Sequence, residues 1–189
     1  MKLTIWQSEM FPWYVLLAYW AVSALRLKQI KVNEDIPGRS LHVALMVLAA
    51  ALMFSPGLAI GPLGHQFVSQ TAWLQEIGVV FTWLGVALAV RARYCIGQYW
   101  SGRVTLKVDH QLIQSGPYAR IRHPIYTGLL LGLAGLALVV GEWRCVIGLV
   151  LASIELSRKA AKEEQLLLSE FGISYQAYRQ RTGFLVPRF

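Results

Sequence analysis

Residues 122–140 read RHPIYTGLLLGLAGLALVV, and after the dipeptide GE the chain continues as WRCVIGLVLASIEL over residues 143–156. The first run is long enough to cross most of a bilayer core as a helix, and the second is short for a full span. A two-residue connection favours antiparallel neighbours. The sequence therefore predicts a tight helical hairpin that begins near Pro124, because proline is tolerated in the first turn of a helix.

The composition shows that the whole chain is apolar, as the hairpin is. Of the 189 residues, 56% are apolar and only 15% are charged, and the mean hydropathy is +0.46. A soluble domain carries about 25% charged residues, so too little polar surface remains here for a water-soluble globule. A disordered chain, a coiled coil and a disulfide scaffold are excluded as well. We predict an all-α integral membrane bundle of about five transmembrane helices, near residues 11–27, 41–60, 73–90, 125–140 and 143–156.

The positions of the basic residues predict how this bundle lies in the membrane. Sixteen of the 18 lysine and arginine residues fall on one side of the five predicted spans, and only Lys2 and Arg144 fall on the other. Cytoplasmic loops are rich in lysine and arginine, so we expect the N-terminus outside and the C-terminus inside. We expect a multi-pass protein of the cell membrane, in a bacterial or archaeal inner membrane. The net charge of +8 follows from these loops, and we expect no nucleic-acid partner.

The cytoplasmic start of the fourth span carries the first polar cluster. His123 and Tyr126 are three residues apart and therefore share a face of the helix. A helix N-terminus at Pro124 would present free N–H groups and a partial positive charge, which suit a carboxylate or phosphate. The alternative is that both side chains merely anchor a transmembrane helix at the interface.

The second cluster follows the fifth span. Glu163 and Glu164 would lie on its cytoplasmic extension, with Lys159 four residues earlier on the face of Glu163. The alternative is a solvated, salt-bridged helix end, but residues 166–168 are three leucines and give this helix an apolar side. We expect the fourth and fifth spans to pack through small residues, which would bring the two clusters together. These small residues are Gly128, Gly132, Gly135, Gly148 and Ala152.

Other common sites lack support in the sequence. His42 and His65 have no partners in register, and Cys95 and Cys145 fit neither a disulfide framework nor a zinc site. No set of histidine, cysteine and carboxylate residues has metal-ligand spacing, so we expect no metal. Hydrolase, P-loop and Rossmann signatures are missing from the sequence.

Three stretches together resemble the isoprenylcysteine carboxyl methyltransferase family, whose relatives include the phospholipid N-methyltransferases. They are LIQSGPY at residues 112–118, RHPIYTG at residues 122–128 and the pair Glu163-Glu164. The resemblance covers roughly residues 91–187, and membrane sterol reductases share a related version of the pattern. It divides a single membrane domain, residues 1–189, into two N-terminal spans over 1–70 and a methyltransferase core over 71–189.

The resemblance implies a small helical membrane enzyme that uses S-adenosylmethionine and leaves S-adenosylhomocysteine as product. The cofactor would occupy a cytoplasmic pocket capped by the C-terminal segment, and a lipophilic or small acceptor would enter from the lipid bilayer. Carried over by position, the cofactor-binding residues would be Arg103, His110, Gln111, Leu112, Ile113, Tyr118, His123, Pro124, Ile125, Tyr126 and Glu163.

Two further residues are candidates for the reaction itself. Lys159 falls where eukaryotic members of the family place an arginine that meets the carboxylate of the acceptor, and lysine cannot form the same bidentate fork. Glu164 would receive the proton that an amine acceptor must lose, whereas a carboxylate acceptor needs no base. Of these reactions, carboxyl O-methylation is favoured.

Two other functions stay open at this point. One is a membrane reductase of the sterol type that uses NADPH, because it shares the related sequence pattern. The other is a non-enzymatic small membrane transporter. A transporter places ionisable groups in the middle of its spans, and the five predicted spans hold almost none.

Overall fold

The computed structural model describes residues 2–25, 30–33, 39–101, 105–107 and 111–188 of the chain. Most of these residues are helical, which confirms the all-α class. The helices are α1 (Lys2–Ala24), α2 (Arg39–Phe54), α3 (Ala72–Ile96), α4 (Pro124–Val140) and α5 (Trp143–Arg181). Single turns of 3-10 helix occur at Pro56–Leu58, Gly61–Gly64, Gly97–Tyr99 and Gly116–Ala119.

A short ribbon is added to the predicted helical fold. Strand β1 (Ile30–Asn33) pairs antiparallel with strand β2 (Thr105–Lys107), and Asn33 lies opposite Thr105. The ribbon joins the segment that follows α1 to the segment that follows α3. It therefore ties together two of the loops that the sequence analysis placed on the cytoplasmic side.

One of the predicted span boundaries was wrong, and one predicted helical extension is present. The second predicted span continued to residue 60, but α2 ends at Phe54 because Pro56 follows and begins a separate 3-10 turn. The helix of the fifth predicted span extends beyond residue 156, as expected for the helix that carries Glu163 and Glu164, and α5 continues without interruption as far as Gly172. There the backbone adopts φ 49° and ψ −121°, and a second helical stretch follows to Arg181.

The predicted hairpin of α4 and α5 is present. Gly141 ends α4 in the left-handed region, with φ 71°, and its N–H donates to the carbonyl of Ala137 at 2.8 Å. Glycine tolerates this conformation without steric cost. Glu142 then leads directly into α5, so the two helices run back along each other and return the chain to the level of Pro124.

The predicted partner of the small-residue face of α4 was wrong. Gly128, Gly132 and Gly135 face α3 rather than α5, and a Cβ added at Gly85 of α3 would collide with the backbone of Gly128 and Gly132. On α5, a Cβ at Gly148 would lie 2.8 Å from the side chain of Met53 in α2. Small residues let helices approach backbone to backbone, but their spacing does not say which neighbour makes the approach.

The outer surface of the bundle is apolar. Large exposed hydrophobic side chains occur along four of the helices, among them Leu17, Val47, Trp83, Leu84 and Ile154. A contiguous apolar exterior of this kind suits contact with lipid. By length and hydropathy, the described residues contain one helix that could cross a membrane, Ala72–Tyr99; the apolar parts of α1, α2 and α4 are shorter. The count of five spans and their orientation therefore stay predictions.

His42 was expected to have no partner, and this expectation was wrong. Its Nδ1 lies 2.8 Å from a carboxylate oxygen of Glu155, which is buried in α5. The pair joins α2 to α5 and gives the carboxylate the polar contact that burial demands. The 113 residues between the two positions explain why no local pattern indicated the contact.

Candidate active site

A C-terminal segment, residues 182–188, lies along residues 120–123 and holds their main chain. The N–H of Gly183 donates to Arg120 at 2.9 Å, and the N–H of Arg122 donates back to Gly183 at 2.8 Å. The N–H of His123 donates to Phe184 at 3.2 Å. These bonds orient the two residues before α4 independently of their side chains, so the last residues of the chain help to build the site.

An ion-pair cluster around the buried carboxylate of Glu164 lies beside this segment. The Nε of Arg122 donates to Oε1 of Glu164 at 2.5 Å, and the Nη1 of Arg122 donates to the carbonyl of Thr182 at 2.5 Å. The Nε of Arg179 lies 3.3 Å from the other oxygen of Glu164, and His123 lies 3.3 Å from Oε1. Burial alone would raise the pKa of Glu164, but the hydrogen bonds from His123 and Arg122 outweigh burial and lower it.

Glu163 faces a different set of partners. The hydroxyl of Tyr126 donates to its Oε1 at 2.6 Å, and Nδ1 of His123 lies 3.7 Å from its Oε2. The rings of His123 and Tyr126 are stacked, with centroids 5.7 Å apart and planes 3° apart. The carboxylate of Glu163 is thus held by a phenol and an imidazole, without an arginine among these contacts.

Lys159 lies one helical turn before Glu163. Its Nζ is 4.0 Å from Oε1 of Glu163 and 5.5 Å from the centre of the Tyr126 ring. Both distances fit a long-range ion pair and a cation–π contact rather than a close hydrogen bond. The ammonium therefore adds positive charge beside the Tyr126–Glu163 pair.

Three tyrosines complete this end of the molecule, Tyr118 from the turn before α4 and Tyr175 and Tyr178 from the end of α5. The hydroxyl of Tyr178 donates to the carbonyl of Tyr118 at 2.7 Å, and burial raises the pKa of Tyr178 to about 12. Burial also raises the pKa of Tyr118 and of Tyr175. All three phenols therefore stay protonated at neutral pH and can act only as neutral hydrogen-bonding groups.

A cavity of about 870 Å³, including the part that opens to solvent, lies among these groups. Its walls come from the end of α3, from residues 111–126 and from α5, so distant parts of the chain enclose it. The lining combines one carboxylate, a histidine and several aromatic rings with aliphatic side chains, which suits a ligand with both a polar and an apolar part.

Many of the residues that the sequence predicted for a cofactor line this cavity. They are Gln111, Leu112, Ile113, Tyr118, His123, Ile125, Tyr126 and Glu163. Pro124 is buried and begins α4 but does not line it, and neither Lys159 nor Glu164 does. His110 and Arg103 lie outside the described residues. The assigned roles of all these residues stay predictions.

The contacts of Glu164 make it poorly suited to its predicted role as proton acceptor. Both of its oxygens are engaged by cationic or imidazole groups, and only 8% of the residue is exposed. A carboxylate with a lowered pKa is a weak proton acceptor. The contacts of Glu164 thus favour a structural role in holding Arg122 and Arg179.

The sequence analysis missed several lining residues. These are Ile96, Tyr99, Trp100, Ser101, Arg122, Leu166, Leu167, Tyr175 and Tyr178. One signal was available for the last two: a glycine at position 172, followed by tyrosines three and six residues later, marks a bend with two aromatic side chains on one face. The end of α3 carried no such signal, because only the tertiary fold brings it to the cavity.

The sequence of residues 77–169 matches the model of the isoprenylcysteine carboxyl methyltransferase (ICMT) family. The matched range includes α4, the hairpin turn and both glutamates of α5. By this match the chain is similar to the isoprenylcysteine carboxyl methyltransferase family. The resemblance found in the sequence is thereby confirmed.

Members of the isoprenylcysteine carboxyl methyltransferase family are similar to the chain over most of its length. The protein-S-isoprenylcysteine O-methyltransferase of Xenopus laevis is 28% identical over an alignment of 197 positions, gaps included. The alignment covers 98% of this chain and 67% of that protein. The protein of that name from Schizosaccharomyces pombe is 34% identical over 119 residues, covering 60% of this chain and 49% of its own.

A bacterial relative and a solved structure are similar as well. The cobalt-zinc-cadmium resistance protein CzcN of Cupriavidus metallidurans is 30% identical over 147 residues, covering 78% of this chain and 62% of its own. The structure of the eukaryotic intramembrane Ras methyltransferase of this family superposes with a TM-score of 0.57 at 25% identity, covering 82% of this chain and 54% of that one. The chain spans about half to two thirds of the length of these relatives.

Proposed function

We propose that the chain is an integral membrane methyltransferase that uses S-adenosylmethionine and methylates a lipophilic or small acceptor. Carboxyl O-methylation, as in the names of the eukaryotic relatives, is the favoured reaction. One observation carries the proposal: the three stretches with the family pattern contribute to one cavity, where Tyr126 donates to Glu163 at 2.6 Å.

The residues around the cavity fit such a methyl donor. Glu163 offers a carboxylate that can pair with an ammonium group, and the first turn of α4 offers N–H groups that can receive a carboxylate. The rings of Tyr118 and Tyr126 offer flat faces for an adenine or a sulfonium. The site must bind a polar group of the donor at one end and its less polar part at the other. The cavity lining contains both polar and apolar side chains.

When bound, S-adenosylmethionine supplies a methyl group attached to a positively charged sulfur. The protein's own contribution is to bind, to orient and to exclude water. Tyr126 fixes the orientation of Glu163, and the stacked ring of His123 fixes Tyr126 in turn. Leu112, Ile113 and the leucines of α5 keep the cavity apolar on the other side, which favours alignment of reactants over solvation.

Lys159 is the residue we propose for recognition of a carboxylate acceptor. Its ammonium lies next to Tyr126 and outside the cavity lining, at the edge of the cofactor site. A lysine attracts a carboxylate as a point charge and imposes no bidentate geometry. The site should therefore accept a wider range of carboxylates than an arginine would.

The proposal includes the setting of the reaction. Residues 1–70 would contribute two N-terminal spans and residues 71–189 the methyltransferase core of a single membrane domain. The cavity would open on the cytoplasmic side of a bacterial or archaeal inner membrane, because basic residues are concentrated in the loops around it.

The decisive experiment supplies methyl-labelled S-adenosylmethionine to the purified chain together with a membrane extract. We expect label in a lipophilic acceptor that is released by mild base, as a carboxyl methyl ester is. Label stable to base would indicate an amine acceptor instead. Failure of any extract component to acquire label above a heat-inactivated control would contradict the proposed function.

A second experiment separates the methyltransferase from the reductase. S-adenosylhomocysteine should raise the melting temperature of the detergent-purified chain, and NADPH should leave it unchanged. Equal shifts with both compounds, or a shift with NADPH alone, would count against the assignment.

A further inference from the structure

Tyr175 is a buried side chain whose hydroxyl has no hydrogen-bond partner among the described residues. The residue is 1% exposed, and no described residue forms a hydrogen bond with its Oη. Buried hydroxyl groups are nearly always hydrogen-bonded, and each exception calls for an explanation. Tyr178, three residues later on the same helix, follows the usual rule and donates to Tyr118.

The charged groups around Tyr175 are already engaged with one another. Glu164, whose charge acts on Tyr175, receives Arg122 and His123 on one oxygen and Arg179 on the other. Burial and this neighbouring negative charge raise the pKa of the phenol. Tyr175 therefore holds its proton at neutral pH and remains a donor without an acceptor.

Tyr175 also lines the cavity that contains Glu163, His123 and Tyr126. The cavity is partly open to solvent, so a ligand with hydrogen-bond acceptors of its own can enter it. We propose that the Tyr175 hydroxyl is a positioning group that donates to an oxygen atom of the bound S-adenosyl ligand. This inference rests on the proposed function, and it assigns a role to a tyrosine that the family pattern of residues 112–128 does not contain.

Two oxygen-bearing parts of that ligand share the required chemistry, namely its carboxylate and its ribose. They are distinguished by comparing S-adenosylhomocysteine with 5′-methylthioadenosine, which keeps the ribose and lacks the amino-acid carboxylate. If Tyr175 binds the carboxylate, Tyr175→Phe weakens only S-adenosylhomocysteine. If Tyr175 binds the ribose, the substitution weakens both compounds.

The test uses the full chain purified in detergent, with dissociation constants measured by calorimetry and melting temperatures measured without ligand. Tyr175→Phe should weaken S-adenosylhomocysteine binding about tenfold. Its melting temperature without ligand should stay the same or rise, because the substitution removes a hydroxyl that has no partner. Tyr94→Phe, at an exposed position on α3, controls for binding and should change neither quantity.

Tyr178→Phe provides the contrast in stability. Its hydroxyl has an internal acceptor, so this substitution should lower the melting temperature of the unliganded chain. A melting temperature lowered equally by Tyr175→Phe would show that the Tyr175 hydroxyl has an internal partner and would overturn the inference.

The remaining outcomes separate this inference from the proposed function. If the unmodified chain binds S-adenosylhomocysteine and Tyr175→Phe binds it equally well, the inference fails and the proposed function stands. The Tyr175 hydroxyl would then be satisfied by buried water. If the unmodified chain binds neither compound, the proposed function and this inference fail together.

Discussion

The two sides of α4 are built differently. On the side of α3, glycine meets glycine, and Gly85 and Gly128 bring the two backbones into contact. On the side of α5, at the end where α4 begins, Tyr126 and Glu163 reach across instead, and a cavity stays open beside them. The close side leaves no room for a ligand and fixes the position of the helix. The open side can then hold a precise arrangement of polar groups without support from tight packing.

On the open side, two consecutive residues of α5 also lie in different environments. Glu164 is held by arginines from two segments, whereas Glu163 is held by a tyrosine and lines the cavity. Successive residues of a helix point about 100° apart, so neighbours in sequence enter different environments. One carboxylate supports the fold, and the other is available to a ligand.

The largest effect is expected from closing the space between α3 and α4. Gly85→Leu should prevent the backbones from meeting and cost about 3 kcal/mol or more of folding free energy, because overpacking a rigid contact forces the helices apart. The yield of monodisperse protein measures this loss. Gly57→Ala, in an exposed turn with room for a methyl group, is the matched control and should behave like the unmodified chain.

The next effect concerns the arginine cluster. Glu164→Ala should lower the free energy of unfolding by about 3 kcal/mol, because it leaves the buried guanidinium of Arg122 without its carboxylate. Denaturant titration of the detergent-solubilised chain provides the measurement. Gln165→Ala, at an exposed neighbouring position, should change stability little. An equal loss in the two variants would show that the cluster contributes nothing specific.

Glu163→Gln tests the other carboxylate. We expect a loss of about 2 kcal/mol in the binding of S-adenosylhomocysteine, roughly 30-fold in the dissociation constant, because a charge-assisted hydrogen bond is lost. Stability should fall less than in Glu164→Ala. Glu76→Gln, exposed at the start of α3, is the matched control. Unchanged affinity in Glu163→Gln would remove this residue from the proposed ligand site.

The pH dependence of stability should reveal the ion pairs of Glu164. The pKa of Glu164 is lowered in the folded state, so its ion pairs add stability above the ordinary pKa of 4.5, and this stability is lost as the pH falls below it. The gap in unfolding free energy between the unmodified chain and Glu164→Gln should therefore shrink below pH 4.5. A gap that stays constant from pH 7 to pH 3.5 would contradict the lowered pKa.

The smallest effect is expected from Lys159→Arg. Stability should change by less than about 1 kcal/mol, while the KM for a prenylated cysteine with a free carboxylate should fall about threefold, because a guanidinium can bind a carboxylate with two hydrogen bonds. Lys162→Arg on the same helix is the control. A lower KM in both variants would indicate a general charge effect rather than recognition by residue 159.

Part of the site followed from chain geometry that the sequence already contains. α4 has 17 residues and is about 25 Å long. Because only Gly141 and Glu142 connect the helices, an equal length of α5 returns to the level of Pro124 near Lys159, one turn before Glu163. The meeting of His123, Tyr126 and Glu163 could therefore be predicted without knowing any other contact.

Other features could not be predicted in this way. The spacing of the glycines in α4 correctly predicted a close-packed face, but the predicted neighbour, α5, was wrong. The spacing of small residues describes one helix and not the helix that packs against it. His42 contacts Glu155, which is 113 residues away in sequence, and the end of α3 lines the cavity. Neither contact is indicated by a local sequence pattern.

The sequence by itself determined the helical membrane character, the hairpin and the family pattern, since these depend on composition and on spacings within one or two helices. Only the tertiary structure decided that Glu163 faces the cavity while Glu164 pairs with arginines, and that the Tyr175 hydroxyl has no partner in the part of the chain that the structure describes. The physical reason is that the environment of a side chain depends on which segments pack against it. In this protein those segments include residues 182–188, which lie along residues 120–123 although 60 positions separate Arg122 from Thr182.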